Sequence, residues 1–151
     1  MAKPDKNLSE WIDELDDSEL MAITLGELIE TRAAESPDTE ALVYSNQPGV
    51  DDIRWTYKDL NEMSTNLAKA FLDVGFKPGD TVGVWGPNHP EWILSEYALA
   101  KAGLRIVTLN PLYKDQELIF ALNTVSAVAI LHAEAIGEIK CLDVINKIKS
   151  S

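Results

Sequence analysis

Short, continuous apolar runs alternate with longer segments of mixed polarity along the second half of the chain. The apolar runs cover residues 81–85, 105–109 and 127–131, and runs of this length are typical of strands covered on both faces. Helices are predicted between them over residues 90–102, where Pro90 suits the first turn and Gly103 stops the helix, and over residues 115–123. Because a strand, a crossover helix and a second strand of one sheet close with a right-handed connection, this order predicts a parallel sheet. The predicted fold class is therefore α/β, built from β-α-β layers.

A small hairpin and two helices are predicted ahead of this sheet. The sequence T-L-G-E at 24–27 is a capping box, which predicts a helix from there to about residue 35. Short apolar runs at 41–44 and 53–55 flank a turn that contains Pro-Gly, as expected for a hairpin. A second helix follows Thr56 as its cap and ends at Gly75, a residue suited to a helix C-terminus.

The first residues of the chain form an acidic segment with its own periodicity. Its apolar positions recur at helical spacing: Leu8, Trp11, Ile12 and Leu15. This pattern predicts a short amphipathic helix within an acidic extension, residues 1–23, ahead of a domain over 24–151. The helix could dock on the domain through Trp11 or bind a partner, and the sequence leaves both open.

Composition narrows the range of partners. The chain has 151 residues, 46% hydrophobic and 25% charged, which is typical of one soluble globular domain. Its net charge of −12 argues against nucleic acid or an anionic membrane as a partner. No apolar run reaches the roughly 18 residues of a transmembrane span. A single cysteine cannot form an internal disulfide, and an acidic N-terminus is unlike a mitochondrial presequence, so the cytoplasm is the favoured location.

The turn after the first sheet strand is the candidate ligand-binding element. Gly86-Pro87-Asn88 lies at the carboxyl end of a strand, where ligands bind in open α/β sheets. Asn88 and His89 are therefore candidates to line a site, although a tight strand-to-helix turn with no ligand is the favoured interpretation. Neither a dinucleotide fingerprint nor a P-loop occurs anywhere in the chain.

The remaining reactive residue types favour structural roles. His89 and His132 each follow a strand without other metal ligands at the usual spacing, so the first is interpreted as a helix-entry residue and the second as a strand-end residue. Trp85 and Trp92 are interpreted as core or wall aromatics. A last helix is predicted over 136–147, where Cys141 lies on an apolar stripe and is interpreted as a small core residue. No catalytic, cofactor-binding or metal-binding residue is assigned.

A series of short phrases gives the sequence a family resemblance. In order they are T-L-G-E-L at 24–28, E-S-P at 35–37, A-L-V at 41–43, W-T-Y-K-D-L at 55–60, G-F-K-P-G-D at 75–80, W-G-P-N at 85–88, A-K-A-G at 100–103, N-P-L-Y at 110–113 and E-L at 117–118. From residue 24 onward the chain resembles the N-terminal part of AMP-forming acyl-CoA synthetases. The W-G-P-N and N-P-x-Y phrases are most similar to medium-chain fatty acyl-CoA synthetases.

This resemblance implies an incomplete N-terminal subdomain of the adenylate-forming synthetase fold. The family uses ATP and Mg²⁺ to convert a carboxylate, such as a fatty acid, into an acyl-adenylate, and coenzyme A then takes the acyl group. The family's Ser/Thr/Gly-rich phosphate loop does not occur in residues 1–151, so no catalytic position carries over and the chain alone is expected to be inactive. The alternative is a non-catalytic truncated isoform that acts as an interaction module. Self-association is also expected, because the following subdomain would cover apolar surface that this chain exposes.

Overall fold

A computed structural model describes residues 22–45 and 52–149 of the chain. These residues form five helices and seven strands in a mixed order along the sequence. In chain order they are α1 (Leu25–Glu35), β1 (Glu40–Tyr44), β2 (Ile53–Thr56), α2 (Tyr57–Asp73), β3 (Thr81–Trp85), α3 (Pro90–Lys101), β4 (Arg105–Leu109), α4 (Asp115–Thr124), β5 (Ala129–His132), β6 (Ala135–Ile136), β7 (Ile139–Lys140) and α5 (Cys141–Lys149).

The centre of the fold is a three-stranded parallel sheet, as the sequence predicts. Strand β3 lies in the middle, with β4 on one side and β5 on the other. Its side chains alternate between two cores. Val82 and Val84 pack with residues of α2 and α3, whereas Trp85 packs with residues of α4 and α5 on the opposite face. Because helices cover both faces, every residue of β3 is buried.

The N-terminal hairpin and the first two helices are confirmed. Strands β1 and β2 pair in an antiparallel manner. Both predicted helix starts are capping boxes: the Glu27 carboxylate accepts from the Thr24 N–H at 2.7 Å, and the Asp59 carboxylate accepts from the Thr56 N–H at 2.9 Å. These bonds satisfy donors that a helix N-terminus otherwise leaves unpaired. The predicted helix near residues 8–15 and most of the predicted turn at 46–52 lie outside the described residues.

The predicted third strand is displaced. The sequence predicts it at 127–131, but β5 runs from Ala129 to His132. Residue 127 instead belongs to the turn that follows α4, because its N–H donates to the carbonyl oxygen of Leu122 at 2.9 Å. The apolar run therefore serves two purposes, and only its second half is strand.

The predicted helix over 136–147 is wrong at its start. A hairpin of β6 and β7 precedes it, and α5 begins at Cys141. Gly137 has a φ of 59° at the hairpin turn. A Gly-Glu pair between Ile136 and Ile139 is a recognised signal for a two-residue hairpin loop, so the sequence did contain this information. The predicted apolar stripe is confirmed, since Cys141 and Ile145 are buried.

Three helices end in the same Schellman-type hydrogen-bond pattern, but with different residues at the left-handed position. Gly75 and Gly103 follow α2 and α3 with φ values of 104° and 70°. Ser126 follows α4 with a φ of 51°, and its N–H donates to the backbone carbonyl oxygen of Asn123. A side chain in this conformation is strained, whereas glycine adopts it freely.

We therefore expect Ser126→Gly to stabilise the fold by about 0.5 kcal/mol, because the relief of strain exceeds the added entropy of the unfolded chain. Urea unfolding followed by circular dichroism measures the change. Ser126→Ala is the matched control, since alanine keeps the Cβ and should give no gain. Equal effects of the two substitutions would contradict this explanation.

Candidate functional site

A cleft of about 590 Å³ opens at the carboxyl ends of β3 and β5. The chain leaves β3 toward α3 on one face of the sheet and leaves β5 toward α5 on the other face. A crevice between strands whose connections diverge in this way is where open α/β sheets bind ligands. The volume falls in the usual range for small-molecule sites. The lining residues are Val84, Trp85, Gly86, Pro87, His89, Glu91, Trp92, Ser95, Leu131, His132, Ala133, Glu134 and Ala135.

The two histidines of the chain, His89 and His132, both line this cleft. His132 is the last residue of β5, and its Nδ1 lies 2.8 Å from the carbonyl oxygen of Ala133. Because a carbonyl oxygen can only accept, Nδ1 carries the proton in the neutral ring and Nε2 is left as an acceptor. His89 precedes α3 without a side-chain cap bond, and its ring centroid lies 5.9 Å from that of Tyr44.

The electrostatics of the cleft are unsuited to an anion. Its lining includes the carboxylates of Glu91 and Glu134 but neither lysine nor arginine. Ser95 is not activated as a nucleophile, because its hydroxyl donates to the carbonyl oxygen of Glu91 at 2.7 Å. The cleft therefore offers apolar walls and hydrogen-bond acceptors. Within residues 22–45 and 52–149, no group of three or more metal-ligating side chains could hold an ion.

The structure places the residues that the sequence had singled out. His89 lies on the cleft wall, whereas Asn88 is exposed and is not part of the lining. Trp85 is buried and Trp92 forms part of the wall, as predicted. Cys141 is fully buried in the core, and this burial raises the pKa of its thiol, in agreement with a structural role. The assignment of functional residues at the cleft stays a prediction.

Glu134 and its neighbours are cleft residues that the sequence pattern does not reveal. They lie at the start of the β6–β7 hairpin, where the sequence predicts the beginning of a helix. Ala133 is held in place by its N–H, which donates to the carbonyl oxygen of Trp85 at 3.0 Å. Recognising the hairpin signal at Gly137 would have placed Glu134 in a connecting loop at the strand ends.

A hydrogen bond joins the ends of β3 and β4. The Trp85 indole Nε1 donates to the carbonyl oxygen of Asn110 at 3.2 Å, and the Asn110 side chain accepts from the Leu112 N–H at 2.9 Å. The second bond is an Asx turn, which fixes the backbone immediately before Pro111 and Tyr113. The W-G-P-N and N-P-L-Y phrases are thus parts of one structural unit at the carboxyl end of the sheet.

None of the helices among the described residues is long and apolar enough to cross a membrane.

Comparison with known proteins identifies the family. The sequence model of the family described as AMP-binding enzyme matches residues 29–151. The mouse "Medium-chain acyl-CoA ligase ACSF2, mitochondrial" is 33% identical over 132 residues, which are 87% of this chain and 21% of that protein. The "Putative acyl-CoA synthetase YngI" of Bacillus subtilis is 31% identical over 131 residues, which are 87% of this chain and 23% of that protein.

A solved structure gives the same result for the fold. The N-terminal domain of FACL13 from Mycobacterium tuberculosis superposes with a TM-score of 0.73 at 26% identity, over 85% of this chain and 31% of that domain. The chain spans about a fifth of the length of the curated relatives that it matches. The chain therefore belongs to the AMP-binding enzyme family, in which it matches the N-terminal part of the acyl-CoA synthetases.

Proposed function

We propose that the protein to which this chain contributes is a fatty acyl-CoA synthetase. It would join a carboxylic acid to coenzyme A while ATP is cleaved to AMP and pyrophosphate. The family match over residues 29–151 supports this proposal. Because the mammalian relatives are named medium-chain acyl-CoA ligases, we propose a medium-chain fatty acid as the substrate. The acidic residues 1–23 precede the matched region and are proposed to be an extension to the domain.

The chemistry explains why the 151 residues should not suffice. A carboxylate is a poor electrophile, so the enzyme must place it beside the α-phosphate of ATP and stabilise the charge that develops there. ATP, Mg²⁺ and coenzyme A would bind to the whole enzyme. The lining of the cleft described above includes no lysine or arginine side chain that could pair with a phosphate group. We propose that these residues form a scaffold around the parallel sheet and that the isolated chain is catalytically inactive.

An assay of the native protein tests both parts of the proposal. An antibody raised against the acidic segment 8–20 would capture the protein from cells and report its mass. We expect the captured protein to run as a band several times heavier than 16.7 kDa. The same captured protein should form octanoyl-CoA from octanoate, ATP and coenzyme A. The purified 151-residue chain should show no octanoate-dependent exchange of pyrophosphate into ATP above the acid-free background.

The outcomes separate the possible errors. If the native protein is heavy but forms no acyl-CoA from hexanoate, octanoate or decanoate, the proposed substrate class is overturned. Exchange catalysed by the short chain would overturn its predicted inactivity.

The second candidate function is a non-catalytic interaction module, such as a truncated isoform. The observation in its favour is the exposure of large apolar side chains, with Leu112 80% and Phe120 72% exposed. Exposed apolar surface of this kind commonly marks an interaction site. A single stable band at the short size in cells would favour the module, whereas a heavy band alone would exclude it.

A further inference from the structure

We draw no further inference here: the strongest candidate, the apolar groove between α4 and the edge of β4 on which the exposed Phe120 lies, carries nothing because the chain spans about a fifth of the length of its relatives and nothing in the structure shows what covers this groove.

Discussion

Replacement of Lys101 by methionine should lower the free energy of unfolding by about 2–4 kcal/mol. The Lys101 side chain is only 7% exposed at the end of α3. Its ammonium group donates to Asn61 at 2.7 Å, to Thr65 at 2.8 Å and to Glu30 at 3.1 Å. Because Asn61 and Thr65 lie on α2 and Glu30 lies on α1, this one side chain joins three helices on the same face of the sheet.

The expected loss comes mainly from Asn61. Thr65 keeps a partner without Lys101, because its hydroxyl also donates to the carbonyl oxygen of Asn61 at 2.7 Å. The Asn61 amide oxygen would lose its hydrogen bond to the ammonium group. Methionine fills similar space but cannot donate, so the oxygen would be left unsatisfied in a partly buried position. In the described part of the chain, no buried side-chain nitrogen or oxygen currently lacks a partner.

Glu30→Gln separates the ion pair from the buried hydrogen bonds. The Glu30 side chain is 60% exposed, so its ion pair with Lys101 should contribute less than about 1 kcal/mol. Urea unfolding monitored by circular dichroism measures both variants at one protein concentration. If Lys101→Met were no more destabilising than Glu30→Gln, the buried bonds to α2 would contribute nothing measurable.

Lys101 illustrates why sequence patterns predict the positions of helices and strands better than they predict the contacts between them. The A-K-A-G phrase predicted correctly where α3 ends, because Gly103 adopts the left-handed conformation that stops a helix. A lysine in such a position is normally interpreted as exposed. Lys101 is buried because α1 packs across the end of α3. The periodicity of apolar residues within either helix does not predict that contact.

The cleft shows the same limit. The sequence placed the turn after β3 at the carboxyl end of a sheet, and His89 does lie on the cleft wall. The sequence did not reveal that His132 lies on the same cleft. That position depends on the strand order, in which β4 and β5 lie on opposite sides of β3 and the cleft opens between β3 and β5. Local signals fixed the bounds of β3 and β4, whereas strand order is set by tertiary packing.

Gly83→Val should lower the free energy of unfolding by about 3 kcal/mol through overpacking. Gly83 is the middle residue of β3, where it pairs with Val107 and Ile130 of the neighbouring strands. A Cβ atom at this position would lie 2.9 Å from Leu122 Cδ2 and 3.0 Å from Leu109 Cδ1. Carbon atoms prefer separations of about 3.5–4.0 Å, so α4 packs closely here only because β3 has no side chain at this point.

A second substitution tests that cause directly. Leu109 is only 4% exposed, so shortening it would leave a cavity in the core. Leu122 on α4 is half-buried and is therefore the better position for a shorter side chain. In a double-mutant cycle, Gly83→Val combined with Leu122→Ala should be less destabilised than the sum of the single changes by more than about 1 kcal/mol. The alanine removes the methyl group that the new side chain would meet.

Gly75→Ala supplies the control for this cycle. Gly75 has a φ of 104°, and a Cβ atom added there would have no neighbouring atom within 4 Å. Its substitution should therefore cost about 1–2 kcal/mol through backbone strain alone. That loss should add to the effect of Leu122→Ala without coupling, since the two sites share no partner. Additivity at Gly83 as well would mean that the cost there arises in the backbone of β3, and that the close approach of α4 does not depend on the missing side chain.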